Sequence, residues 1–272
     1  MKREEILKKF RASVASGAAL IGASAGMGLS AKCENAAGAD FITTCSDDYF
    51  FIQGRGEAID ILPVCDANGL VEALAPEILS AAKDTPVLGG VFANDTFRNM
   101  ELHLTKMQKM GFSGVFNAPS MEFVDGYARM VHDSVRINYD REVDMIATAR
   151  ELGLLTAAVC CRPNDARRMA EAGADIILAK LPIRADAACS RDKRQRLDGI
   201  CQAMQEICSA ARLVNNEALV IVHSPLLSEP EDLVYFLENT TGFCGYHGSV
   251  TIEGRTATAI EKQIAAFKAT AY

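Results

Sequence analysis

Lys180, His223 and His247 each stand at or near the end of an apolar run: ADIILAK, ALVIVHS and CGYHGS, respectively. An imidazole exchanges protons near neutral pH, so either histidine is a candidate general acid or base. A lysine is rarely buried unless an anion accompanies it. Lys180 therefore calls for a partner, either Asp47, Asp48 or Asp66 or a substrate phosphate or carboxylate. Desolvation lowers a lysine pKa, which adds a Schiff-base role as a second option. A structural ion pair is the third. Asp66 and Asp95 are the acidic groups placed to share proton transfer with His223 and Lys180, and these four form the expected catalytic set.

Other residues suit the binding of an anion. The turn GASAGMGLSAKCE follows the first apolar run, and Gly26 and Gly28 in it expose backbone N–H groups at a helix start. That is where negative charge is favoured. Its spacing matches neither the dinucleotide fingerprint nor the P-loop. Lys32 lies in or just before that helix, as an anion ligand or as a solvated lysine. Arg55, between two glycines in QGRGEA, suits a bidentate clamp on a carboxylate or phosphate. Asp66 and Asn68 in CDANG have an alternative role as caps for a helix at 70–82. Asn94, Asn117, Gly248 and Ser249 complete the expected ligand set, each closing or following an apolar run.

The elements that position these groups are eight short apolar runs, at 19–24, 39–44, 85–92, 113–118, 154–160, 174–180, 218–224 and 244–249. Runs apolar at every position imply strands covered on both faces, as in a parallel sheet clothed by helices. Four follow one local phrase, a helix tail and then glycine: ENAAGADFI, MQKMGFSGVF, MAEAGADIIL and NTTGFCGYH. Glycine takes the left-handed conformation that ends a helix at little steric cost. Eight such units in 272 residues predict a single (β/α)8 TIM barrel over 1–272. The first 18 residues read as an amphipathic helix on the barrel floor rather than as a signal peptide. Long segments at 45–70, 117–140 and 182–195 all leave the same rim, while connections on the other rim are short. Working barrels elaborate the C-terminal rim, and the last two strands commonly carry a phosphate site there.

A net charge of −7 and a pI near 5.2, with no basic stripe, exclude a nucleic-acid backbone as partner. No window is long and charge-free enough to span a membrane. Nine scattered cysteines without a CxxC pair predict reduced thiols in a cytoplasmic protein and no structural zinc. Neither HxH nor HExxH spacing occurs, so no metal ligands are assigned. No cofactor is required by the residues, and magnesium is the one left open. Exposed Cys, Met and Phe expected on helices at 140–152 and 197–212 suggest a homo-oligomer.

The segments GASAGMGLSAKCENAAGADFI, GRGEAIDILPVCDANGLVEALAPEIL, TPVLGGVFANDTFRNM, GFSGVFNAPSMEFVDG, MAEAGADIILA and EPEDLVYFLENTTGFCGYHGSVTIEGRTATAI resemble the phosphoenolpyruvate hydrolase-like family. These TIM barrels are also described as phosphonopyruvate hydrolases or as barrel signal-transduction proteins. The resemblance covers about 17 to 268. It keeps the family's turn at Gly26, Gly28, Leu29, Ser30, Ala31 and Lys32, and its motifs at Gly54–Gly56 and Asp66–Asn68, while two further loop motifs become Ala93–Arg98 and Asn117–Ser120 here. Two motifs differ. Lys180, Leu181 and Pro182 replace His–Met–Gly after the sixth strand, and Val222, His223, Ser224 and Pro225 replace Cys–His–Gly–Gly after the seventh. The acidic metal cluster of phosphoenolpyruvate mutases and isocitrate lyases is not recognisable. The resemblance implies an enzyme that hydrolyses or cleaves a phosphoenolpyruvate- or phosphonopyruvate-like metabolite. The alternative is a non-catalytic, ligand-sensing barrel with the same pocket.

Overall fold

The computed structural model describes residues 1–55, 65–181, 192–227 and 229–248, with Ala259 and Ile264. Eight parallel strands close into a barrel in sequence order: β1 (Leu20–Ser24), β2 (Phe41–Thr44), β3 (Val87–Val91), β4 (Gly114–Asn117), β5 (Leu155–Cys160), β6 (Ile176–Lys180), β7 (Leu219–His223) and β8 (Phe243–Gly248). Each falls within an expected apolar run or extends it by one residue. The outer layer holds α2 (Gly28–Ala37), α4 (Ala67–Ala82), α5 (Met100–Met110), α7 (Tyr139–Glu151), α8 (Pro163–Glu171), α9 (Lys193–Val214) and α10 (Pro230–Glu238). The helix-ending glycines Gly38, Gly111, Gly173 and Gly242 all take positive φ, between 83° and 112°.

The N-terminal helix α1 (Arg3–Ala15) closes the barrel floor. Its Ile6, Leu7 and Phe10 are buried in one cluster with Leu20, Phe41, Leu88, Leu155, Ile176 and Leu219. Burying each such side chain stabilises by about 1.5–3 kcal/mol. Arg3 fixes the helix through Asp175 at 2.5 Å. Gly22 leaves the axis open for Phe41, because a Cβ there would lie 2.3 Å from the ring.

Three sequence expectations need adjustment. The 45–70 segment opens with a helix, α3 (Ser46–Ile52), because Asp48 Oδ2 accepts the Cys45 N–H at 2.9 Å and caps it. The 117–140 segment contains a 3-10 turn at Met121–Phe123 and α6 (Gly126–Ser134), which buries no residue. The cysteines and methionine expected on the outside of α9 face inward. Cys201, Met204 and Cys208 are at most 7% exposed, packed in the layer between helices and barrel. Among the described residues no helix is long and apolar enough to cross a membrane.

Candidate functional site

On the rim from β1 to β4, the expected site residues other than Lys32 and Arg55 are engaged by the protein itself. Gly28 N–H, at the start of α2, donates to Glu77 Oε1 at 2.6 Å. The anion attracted to that helix end is thus a carboxylate from α4. Gly26 sits so close to α3 that a Cβ would lie 2.4 Å from the Asp48 carbonyl oxygen. Lys32 and Arg55 are exposed.

Asp66 caps α4 by accepting the Gly69 N–H at 2.8 Å. Arg98, which opens no motif of its own, bridges Asp66 at 2.6 Å and Asp95 at 2.5 Å. Its hydrogen bond holds the Asp66 carboxyl below the usual range against the effect of burial. Burial also opposes ionisation of Asp95, but donors on Asn68, Phe97 and Arg98 lower it on balance. The two expected proton carriers are therefore ionised and paired with each other's arginine.

Asn94 donates to the Asn138 carbonyl at 3.0 Å and accepts the Asn138 N–H at 2.8 Å, which fixes the start of α7. Asn117 accepts the Val159 N–H at 2.7 Å and donates to Glu142 Oε2 at 2.7 Å. Glu142 is fully buried and also accepts from Ser120 Oγ and Met121 N–H. Burial raises its pKa to about 7 despite those donors.

The rim from β6 to β8 differs. Lys180, His223 and His247 pair in register across three adjacent strands. Strand side chains alternate, and Ile176, Leu178, Leu219 and Ile221 of the same strands lie in the axial cluster. Lys180 and His223 therefore point into the mouth above them. The Lys180 Nζ lies 4.9 Å from the Phe123 ring centroid and is half-buried, with no acidic partner among the described residues. His223 Nδ1 and His247 Nδ1 are 2.7 Å apart. His247 Nε2 lies 2.9 Å from Thr43 Oγ1, which lies 2.8 Å from Ser24 Oγ. Burial, then Lys180 and His247, hold His223 well below the usual histidine range. Burial and Lys180 take His247 down to about 3. Both rings are neutral at physiological pH.

Glu122, in the turn beside Phe123, was not legible in the sequence. It is 4% exposed, and its Oε2 accepts the Cys161 N–H. Burial and the neighbouring Asp165 carboxyl raise it well above the glutamate range, so it is held protonated beside the same wall. Gly248 ends β8, buried and paired with Ala23. Ser249, the 182–191 stretch and 56–64 of the long β2 loop lie outside the described residues. Among the described residues no three His, Cys, Asp or Glu side chains are grouped to hold a metal ion.

The architecture is that of a (β/α)8 barrel whose strand C-termini carry a mouth lined by Lys180, which has no acidic partner among the described residues, and a neutral histidine pair. The chain belongs to the phosphoenolpyruvate hydrolase-like family, whose model matches residues 5–270. It is 38% identical over 252 residues to the ToMV susceptible protein tm-1 of Solanum lycopersicum, covering 93% of this chain and 33% of that protein. It is 27% identical over 269 residues to y4pA of Sinorhizobium fredii, named a transcriptional regulatory protein, covering 98% of this chain and 44% of that one. The chain thus spans less than half the length of these relatives. A phosphonopyruvate hydrolase solved with oxalate and magnesium shares the fold, with a TM-score of 0.63 at 16% identity over 98% of this chain and 87% of that one.

Proposed function

We propose that this barrel is an enzyme acting on a small phospho- or carboxylate-bearing metabolite at the β6–β8 side of its mouth. One observation carries the reading: Lys180 is half-buried, faces the mouth and has no acidic partner among the described residues. A desolvated cation without a counter-ion is stabilised by an anionic ligand. The ligand's anion sits on Lys180, and His223 exchanges a proton with it. For phosphonopyruvate the balanced reaction is water plus substrate giving pyruvate and phosphate. The proton released by water reaches the enolate carbon of the departing pyruvate. Gly248 and Ser249, beside the β8 end, are the proposed backbone contacts to the ligand. Arg55 is the proposed clamp from the β2 loop.

Asp66 and Asp95 take no proton in this proposal, because Arg98 keeps both ionised. Gly26, Gly28, Asn94 and Asn117 act here as structural residues, and Lys32 stands exposed at the rim. Magnesium accompanies oxalate in the phosphonopyruvate hydrolase. Among the described residues no three His, Cys, Asp or Glu side chains are grouped to hold that ion, and no step is routed through it. The free thiols of the eight described cysteines support a reducing, cytoplasmic setting. The proposed self-association moves from α7 and α9, whose Met145, Cys201, Met204 and Cys208 are buried, to α6, whose Tyr127, Met130 and Val131 are exposed.

The test incubates the protein with phosphoenolpyruvate and phosphonopyruvate, with and without magnesium, and assays pyruvate and phosphate. Product that disappears in Lys180→Ala supports the reading. Binding without product supports the second reading, a sensing barrel, which the regulatory name of the Sinorhizobium relative favours. Replacing Arg55 with Ala is expected to weaken binding by about 1.5–3 kcal/mol, the scale of a charge-assisted contact. Unchanged affinity removes Arg55 from the site.

A further inference from the structure

Glu122 sits in the 3-10 turn Met121–Phe123 with 4% of the residue exposed. Its Oε2 accepts the Cys161 N–H, while its Oε1 is buried and accepts no hydrogen bond from the described residues. The Asp165 carboxyl, in the first turn of α8, lies within hydrogen-bonding reach of the Glu122 carboxyl. Two carboxylates can only accept, so that contact holds when one of them carries a proton. The Cys161 thiol is also in reach, but it is a weak donor and leaves the meeting of the two acids unresolved. Arg162 and Arg168 stand 3.8 and 4.0 Å from the two oxygens of Asp165 and favour its charged form. Glu122 has no such help from its other neighbours. Tyr139, Cys160 and Cys161 are held neutral by burial, and Glu142 is a further acid. Arg129 of α6 is engaged by Asp133 and by the Met121 carbonyl. The proton therefore belongs to Glu122, whose O–H donates to Asp165.

The same turn carries a wall of the mouth. On its β4 side Ser120 Oγ and Met121 N–H donate to Glu142, each at 2.7 Å. Glu122 ties the turn to the end of β5 and to α8. Phe123, the next residue, packs on the axial cluster and sets its ring centroid 4.9 Å from Lys180 Nζ. Glu122 and Lys180 act on the Cys161 thiol with opposite sign, so both stand near it. An ionised Glu122 would place a negative charge near the ammonium, in competition with the anion of a ligand.

We infer that Glu122, as a carboxylic acid donating to the Asp165 carboxylate, is a positioning residue for the anion site: it holds Phe123 over Lys180 and keeps a competing negative charge away from the ammonium. The positioning role rests on the proposed site at Lys180, whereas the proton on Glu122 is a property of the free protein.

Carbon-13 NMR of protein labelled at its glutamate carboxyls tests the proton without any ligand, at a pH of about 8, far above the ordinary glutamate range. Glu122→Gln identifies the signal by removing it. The expected signal is that of a carboxylic acid. A carboxylate signal overturns the assignment, including the case in which Asp165 holds the proton. Calorimetric titration with oxalate tests the position. Glu122→Ala is expected to lower affinity roughly 3- to 10-fold, the range of a lost cation–π contact. Glu122→Gln, whose amide donates to Asp165 while its oxygen accepts from Cys161, is expected to bind oxalate as the parent does. Phe123→Ala is expected to match Glu122→Ala, and it replaces that variant if Glu122→Ala does not fold. Parent-like affinity in a folded Glu122→Ala or in Phe123→Ala overturns the positioning role, as does a weakened Glu122→Gln. Unchanged oxalate affinity in Lys180→Ala removes the anion site and leaves the carboxyl spectrum as it was, so the two readings fail separately.

Discussion

The two halves of the barrel rim treat charge in opposite ways. From β1 to β4 every expected functional side chain except Lys32 and Arg55 has found a partner within the protein. Glu77 fills the helix end at Gly28, Arg98 joins Asp66 to Asp95, and Glu142 gathers Asn117 and Ser120. From β6 to β8 Lys180 faces the mouth without an acidic partner among the described residues, beside a buried histidine pair. A motif on the first side therefore reads as chemistry in the sequence and as architecture in the structure. The two loops that depart from the family pattern, after β6 and β7, fall on the open side.

The largest expected effect separates architecture from binding. Glu142→Ala leaves three buried donors unsatisfied and should cost about 2–4 kcal/mol of stability, measured by denaturant unfolding. A loss below about 0.5 kcal/mol would mean that the β4 side is not held as described. Lys180→Ala should do the reverse, with an unchanged melting temperature and anion affinity lowered by about 1.5–3 kcal/mol, roughly 10- to 150-fold. Calorimetric titration with oxalate reads this directly. Arg98→Ala should cost about 1–2 kcal/mol, mainly through the half-buried Asp95 it leaves unpaired, while oxalate affinity stays the same. A drop in affinity would move the site across the barrel.

The halves should also separate on acidification. The histidine pair has its pKa lowered in the folded state, so the stability it contributes is present above the unfolded value of about 6.5. That contribution declines as pH falls from there toward about 3 for His247. Asp66 and Asp95 are likewise lowered, and their contribution is lost only as pH falls below about 4. Unfolding measured across this range should show the upper window shrink in His223→Gln, which leaves the His247 share, and the lower one shrink in Arg98→Ala. The smallest effect is expected for Lys32→Ala, within about 0.5 kcal/mol. A larger change in ligand affinity would restore Lys32 to the binding set.

The strands were legible because their signal is local: an apolar run, then a helix tail ended by glycine, repeated along the chain. Lys180 and His223 were legible as strand-end residues for the same reason. The helix α3 was missed because its cap, Asp48 on Cys45, is a single short contact within a polar stretch. Glu122 gave no sign, since its raised pKa comes from burial and from the Asp165 carboxyl, which surround it only after β4 and β5 pair.

Sequence alone determined the barrel, the rim that carries polar residues and the floor helix, because helix caps and apolar runs act over a few residues. Tertiary structure decided which of those polar residues remain available. Arg98 reaches Asp66 across 32 positions, Glu77 reaches Gly28 across 49, and Thr43 meets His247 across 204. A charge or lone pair is free only when no partner lies within about 3 Å, and that distance is set by barrel closure.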